Sequence, residues 1–376
     1  MTIAKYWGVA LCCLPFYMRI SSVASPRYAK DLLFIAIGLF SLVIFGIGKN
    51  IKSPTQRLAL ILTPVAFFSL RNIGSSASIY QLLCFMVGAG VFIQLSGNFK
   101  KSDEVIILNA VGIAVIIESL MVILNGFGID LREYYAALFG AVKHQVSSRG
   151  WVQSDGIVMA GSFDNPNLTT SFLAIGMASL WRDKWVYFVP LCLIAIILCG
   201  GVSSYFVILA AGVFYFARKL KSEYITGLVA FSAVGFVGLI YYLPSFNVVF
   251  SDGGRLAAWE WALANLDMPG WFFGKGLGYW TSTSPMFIIN GATKHHDQLH
   301  NEYIEFLYAF GALGCAGVCF CIYESMDRAR KCHPSIFAMG AAVAASCCVH
   351  FTFHIAATAA VGIVVAALLT RTNDVC

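Results

Sequence analysis

Three imidazoles, two carboxylates and two side-chain amides crowd into the nine residues His295-His296-Asp297-Gln298-Leu299-His300-Asn301-Glu302-Tyr303. A neutral imidazole near physiological pH can take a proton from a hydroxyl. His296 and His300 are four apart, so a helical start puts both on one face. That spacing also suits zinc, yet the usual glutamate between the pair is absent and no third ligand stands out. A third reading is a polar cap where a helix leaves a membrane. Asn301 and Glu302 open the next helix, where they can cap backbone N–H groups or orient His300.

Upstream, Arg255 opens a segment, 253–266, whose Leu256, Trp259, Leu263 and Leu266 recur at helical spacing. The pattern predicts a short amphipathic helix lying in an interface plane. A guanidinium fork matches phosphate oxygens and keeps its charge, so Arg255 suits a diphosphate; snorkelling to a lipid headgroup is the plainer alternative. Arg149 is a weaker candidate for the same task. Asn165 and Asn167 flank Pro166 in a rigid turn that feeds a helix, and their amides can also hold sugar hydroxyls. Gly270, Gly274, Gly276 and Gly278 make a flexible stretch whose aromatic neighbours, Trp271, Phe272, Tyr279 and Trp280, can rest on a membrane or stack on sugars. Gly274-Lys275-Gly276 lacks the spacing of a nucleotide loop.

The elements that must hold these groups are written for lipid. Of 376 residues, 59% are hydrophobic and 12% charged, against about 25% charged in soluble domains; mean hydropathy is +0.76. The expectation is an all-α, polytopic bundle forming one transmembrane domain over 1–376. Twelve apolar segments can be marked, near 6–20, 31–48, 57–70, 78–96, 104–125, 168–182, 185–200, 203–217, 224–243, 302–323, 336–351 and 355–370. Loops that a cytoplasmic N-terminus puts inside hold fifteen of the 25 basic residues, which predicts both termini inside and two long loops, 126–167 and 244–301, outside. The net charge of +6 follows from that topology and needs no nucleic-acid partner. The first segment predicts an uncleaved span, since no small-x-small site follows it. The twelve cysteines sit mostly in or beside apolar spans and predict small buried hydrophobes rather than disulfides or metal ligands. Glu118 falls inside a span, where a charge costs about 2.5 kcal/mol or more unless paired or protonated. His350 and His354 lie near the external end of span eleven.

Ser251-Asp252-Gly253-Gly254-Arg255-Leu256-Ala257-Ala258-Trp259, then Leu299-His300-Asn301-Glu302-Tyr303-Ile304 and Phe310-Gly311-Ala312-Leu313-Gly314, resemble the O-antigen ligase and polymerase family. Gly161-Ser162-Phe163-Asp164-Asn165-Pro166-Asn167 and the twelve-span plan, with its long loop between spans nine and ten, resemble it too. The resemblance implies a GT-C-like, metal-independent glycosyltransferase of a bacterial inner membrane, with its site facing the periplasm and no cofactor. Its donor would be a polyprenyl-diphosphate-linked glycan and its acceptor a lipid A core or a growing glycan. On matching positions His300 would be the base and Arg255 would neutralise the leaving diphosphate, with Arg149, Asn165, Asn167, His296, Asn301 and Glu302 binding substrate. Many members carry an arginine at the external start of span eight, where this chain has Gly200-Gly201-Val202-Ser203-Ser204; Arg149 is the candidate substitute. Ligase is the leading expectation and polymerase the alternative. A proton-coupled transporter, using Glu118, His350 and His354, is the competing class.

Overall fold

A computed structural model describes residues 2–16, 26–46, 56–59, 76–129, 131, 161–163, 165–201, 203–218, 254–289, 292–350 and 352–371. Segment 224–243, nearly all of 57–70, and Arg149 lie outside the described residues. The other ten apolar segments carry helices. In chain order these include α1 (Ile3–Cys13), α2 (Pro26–Phe45), α3 (Ser76–Asn98), α4 (Asp103–Gly126), α5 (Pro166–Met177), α6 (Val189–Cys199) and α7 (Ser203–Ala217). The described residues of the second long loop hold three short helices, α8 (Arg255–Ala264), α9 (Met268–Phe273) and α10 (Tyr279–Thr283). The chain then returns through α11 (Glu302–Ala329), α12 (Pro334–Val349) and α13 (Ala356–Thr370). The described residues are mostly helical, in keeping with the all-α expectation. One antiparallel hairpin was not foreseen: β1 (Met286–Ile289) pairs with β2 (Ala292–His295) in the register Met286↔His295.

Among the described residues two helical stretches, Ile79–Asn98 and Asp103–Gly126, are long and apolar enough to cross a membrane. α7, α12 and α13 are apolar but shorter; fifteen or sixteen residues at 1.5 Å each reach about 23 Å, less than a hydrocarbon core of about 30 Å. Large apolar side chains face outward from several helices, among them Val43 of α2 (80% exposed), Leu209 of α7 (66%) and Ile197 of α6 (61%). A soluble monomer rarely leaves so much apolar surface uncovered.

Inside, small residues bring backbones close. A Cβ on Gly176 of α5 would come within 2.3 Å of Val115 on α4. Ser171 of α5 and Ser346 of α12 share a hydrogen bond of 2.8 Å between two fully buried hydroxyls. The Trp7 indole donates to Ser41 at 3.1 Å, and the Ser41 hydroxyl donates to Gln94 at 2.7 Å. Such bonds remove buried donors that would otherwise cost about 1–3 kcal/mol each.

Helix ends are tied in two groups. Glu104, in the first turn of α4, accepts from Arg371 after α13 and from the His333 amide (2.8 Å) before α12. Arg371 and Glu104 are both nearly fully buried. Arg371→Ala would strand the carboxylate without its counter-charge, so it is expected to destabilise by about 3–5 kcal/mol; the unfolding midpoint of the purified protein in detergent measures this. The second group joins opposite helix ends. Ser162, near the end of the first long loop, donates to the carbonyl of Pro15 (2.8 Å). Ser203 at the start of α7 bonds the His350 imidazole beyond α12 (2.7 Å), and Asp31 accepts from the Ala356 amide at the start of α13 (3.3 Å).

Candidate active site

α8 runs from Arg255 to Ala264, inside the 253–266 expected to be helical, after Gly254 turns the chain with φ +87°. Its inward face is set by alanines. Ala258 and Ala262 are buried against Trp280, Leu299 and Tyr308, while Trp259, Trp261 and Leu263 pack round the edge. The loop therefore has its own small core, and Trp280, only 2% exposed, is part of it rather than a free platform for sugars. The Trp280 indole donates to the His296 carbonyl at 2.8 Å, and Trp259, one turn beyond Arg255, donates to the Leu299 carbonyl. Each tryptophan thus ties the histidine segment to the arginine helix.

Arg255 and the histidine segment also meet on a third element. The Arg255 Nη1 approaches the Val349 carbonyl at 3.5 Å, and the Asn301 Nδ2 donates to the neighbouring Cys348 carbonyl at 3.0 Å. Both carbonyls belong to the last turn of α12, whose acceptors have no partners within the helix and carry the negative end of its dipole. Residues about forty-five apart in sequence are held at one helix terminus.

Between those anchors the histidine segment is not helical, so the shared face expected for His296 and His300 does not arise from helical spacing. The rings meet edge to face, 5.7 Å between centroids and 90° between planes. His296 is buried, and its ring centroid also lies 5.7 Å from that of Phe287 in β1. His300 adopts φ +55°, a left-handed conformation that costs a non-glycine residue about 1–2 kcal/mol. Its neighbours over-determine it. The Leu299 amide is held by Glu305 Oε2 at 3.1 Å, and Asn301 Oδ1 accepts from the amides of Tyr303 (3.0 Å) and Ile304 (3.1 Å), starting α11 as an N-cap. Strain held in this way is common where a side chain must be aimed.

Glu302 is engaged elsewhere. Its Oε1 accepts from the Phe353 amide at 2.6 Å and lies 3.3 Å from His354 Nδ1, while Glu305 Oε1 lies 3.2 Å from His354 Nε2. One imidazole is thus clasped by two carboxylates three residues apart on one face of α11. Burial opposes charge on His354, but Glu305 and then Glu302 outweigh it and hold its pKa well above the ordinary value. A raised folded-state pKa contributes stability that is complete below about pH 6.5, the unfolded value. That stability is lost as pH rises through the folded-state value. The thermal midpoint in detergent is therefore expected to fall as pH rises from 6 to 9, and His354→Gln should flatten that slope.

Asn165 caps α5, its Oδ1 accepting from the Asn167 amide at 2.9 Å, with Pro166 in the first turn. This is the helix-start role; no described contact joins these asparagines to Arg255 or His300. The residues assigned to a proton path hold separate partners: Glu118 accepts from the Ser162 amide (2.8 Å), His350 bonds Ser203, and His354 bonds Glu302 and Glu305. An apolar recess bordered by Ile113, Ile117 and Trp185 contains none of the site residues. Among the described residues no group of three or more His, Cys, Asp or Glu could hold a metal ion.

Sequence reasoning passed over Glu305 and Trp259 as supports of the histidine. The signal for Glu305 was present, since Glu302 and Glu305 share a helical face; the Trp259 bond depends on a tertiary approach that no local pattern encodes. No known family model matches this sequence, and a comparison with curated proteins finds no match.

Proposed function

We propose that the chain is a polytopic membrane glycosyltransferase of the O-antigen ligase and polymerase type, working at the outer face of a bacterial inner membrane. One observation carries the reading: Arg255 and Asn301, the residue after His300, contact consecutive carbonyls at the end of α12. A cation suited to diphosphate and a strained imidazole therefore share one polar rim on an apolar helix bundle.

The chemistry follows from those two groups. His300 takes the proton of an acceptor sugar hydroxyl as its oxygen bonds the anomeric carbon of the donor. The carbon–oxygen bond to the polyprenyl diphosphate breaks, the bonding pair leaves with the diphosphate, and Arg255 offsets the charge that develops there. A donor with its tail in lipid and its sugars in water requires a site at this boundary. His296 backs the His300 ring, and Asn301 and Glu305 hold its backbone.

The test is surface polysaccharide in cells whose own enzyme is replaced by variants at matched expression. His300→Ala and Arg255→Ala are expected to abolish it. Accumulation of long carrier-linked chains would indicate a ligase, and loss of every long chain a polymerase. Normal polysaccharide from His300→Ala would end the reading, and proton-gradient-driven uptake into proteoliposomes would replace it with a transporter.

A further inference from the structure

Helix α11 is broken. At Gly311 the backbone leaves helical space, with φ +68° and ψ −175°. A break frees carbonyls of the preceding turn, and within hydrocarbon such groups need a partner from the protein. Here the Lys275 amide donates to the Tyr308 carbonyl at 2.7 Å, and the Gly276 amide donates to the Ala309 carbonyl at 3.1 Å. The second long loop thus supplies what the interrupted helix lacks.

The level of this contact along the bundle is fixed by α3. Phe310 lies against Phe85, 5.4 Å between ring centroids, and shares an apolar cluster with Leu82 and Leu277. Leu82 and Phe85 stand three and six residues inside the apolar stretch Ile79–Asn98, which at 1.5 Å per residue is about 5–9 Å below its start. Met268, Phe272 and Phe273 of α9 are nonetheless 72%, 50% and 66% exposed. The charge of Lys275 is met at the segment's edge, its Nζ lying 2.8 Å from Asp267 Oδ1.

We propose that residues 268–278 form a re-entrant segment that dips below the outer headgroup layer, caps the broken α11 and lays the apolar face of α9 against lipid acyl chains. The occupant of that face is the bilayer itself, because the face continues the outward apolar surface of the bundle at the depth of a candidate span. The proposal rests on the membrane-embedded part of the reading above and not on glycosyl transfer.

The experiment uses the full chain in permeabilised vesicles of phosphatidylethanolamine and phosphatidylglycerol. Phe273→Cys, the hairpin variant Thr293→Cys and the variant Leu120→Cys, six residues inside the end of the candidate span Asp103–Gly126, are treated with a membrane-impermeant maleimide, after subtraction of labelling in the parent. A thiol reacts as thiolate, which needs water, so Phe273→Cys is expected to label at least about tenfold more slowly than Thr293→Cys and as slowly as Leu120→Cys. Equal rates for Phe273→Cys and Thr293→Cys, with Leu120→Cys slow, would overturn the re-entrant segment alone. Rapid labelling of Leu120→Cys would overturn it together with the membrane reading. The second measurement leaves Phe273 intact. Brominated acyl chains should quench tryptophan emission of the parent more than that of Trp271→Phe. Equal quenching of the two would mean that protein rather than lipid covers α9, which also overturns the proposal.

Discussion

His300→Gly is expected to yield a protein that folds as well as the parent and transfers glycan about 10²–10⁴-fold more slowly, the usual worth of a positioned general base. The two effects separate because of the backbone. At φ +55° a histidine bears a steric cost that glycine does not, about 1–2 kcal/mol, while the greater freedom of glycine in the unfolded chain returns about 0.5–1 kcal/mol in the other direction. A neutral or slightly higher unfolding midpoint is the net expectation. Loss of transfer in a protein of unchanged stability cannot then be ascribed to misfolding, a distinction that His300→Ala, which keeps the strained backbone, draws less cleanly. Transfer from a carrier-linked donor in vitro is the readout, and retention within threefold of the parent would remove His300 from the chemistry. Arg255→Lys adds a second axis. A lysine keeps the charge but not the fork, so partial activity there, against none in Arg255→Ala, is the pattern expected of a diphosphate contact.

Gly311→Ala is expected to abolish the folded protein, and Gly274→Ala to do the same. The two glycines interlock. A Cβ at Gly311 would stand 2.3 Å from the Phe272 carbonyl oxygen, and one at Gly274 would stand 2.2 Å from the Ala309 carbonyl oxygen. Both have positive φ, +68° and +78°. The atoms that would be struck are backbone on both sides, so no rotamer change relieves the overlap, and separating the segments would strand the Tyr308 and Ala309 carbonyls. Strain and lost hydrogen bonds together exceed about 3 kcal/mol. Gly46 provides the control. It has φ +67° with open space where a Cβ would go, so Gly46→Ala should cost only about 1–2 kcal/mol. Yield of monodisperse protein after detergent extraction compares the three; similar yields would show that the contact at Gly311 is not required.

Local signals in the chain did much of the placing. Ten of the marked apolar segments carry helices because a long apolar run in a non-aqueous setting has few other ways to satisfy its backbone groups. Arg255 begins its helix because a glycine pair precedes it and a 3.6-residue apolar pattern follows. Asn165-Pro166 starts α5 for the same kind of reason: an amide cap and a fixed φ act within four residues. The glycine-rich stretch, by contrast, was expected to be flexible. Its backbone is pinned, because a broken helix far along the chain offers carbonyls to its amides. Trp280 was offered as a sugar platform and is instead buried, since the partners that bury it come from α8, β1 and α11. Glu302 was expected near the substrate and is taken by His354, fifty-two residues later.

Much of what depends on contacts within one turn could be read in order: the apolar helices, the caps, the guanidinium at a helix start, though not the β1–β2 hairpin. What could not be read is which distant groups find each other. Arg255, Asn301 and the end of α12 converge because packing of α8 on α11, and of α11 beside α12, brings distant segments together. Such packing arises from the summed shape of many side chains, and no short stretch of sequence carries that sum.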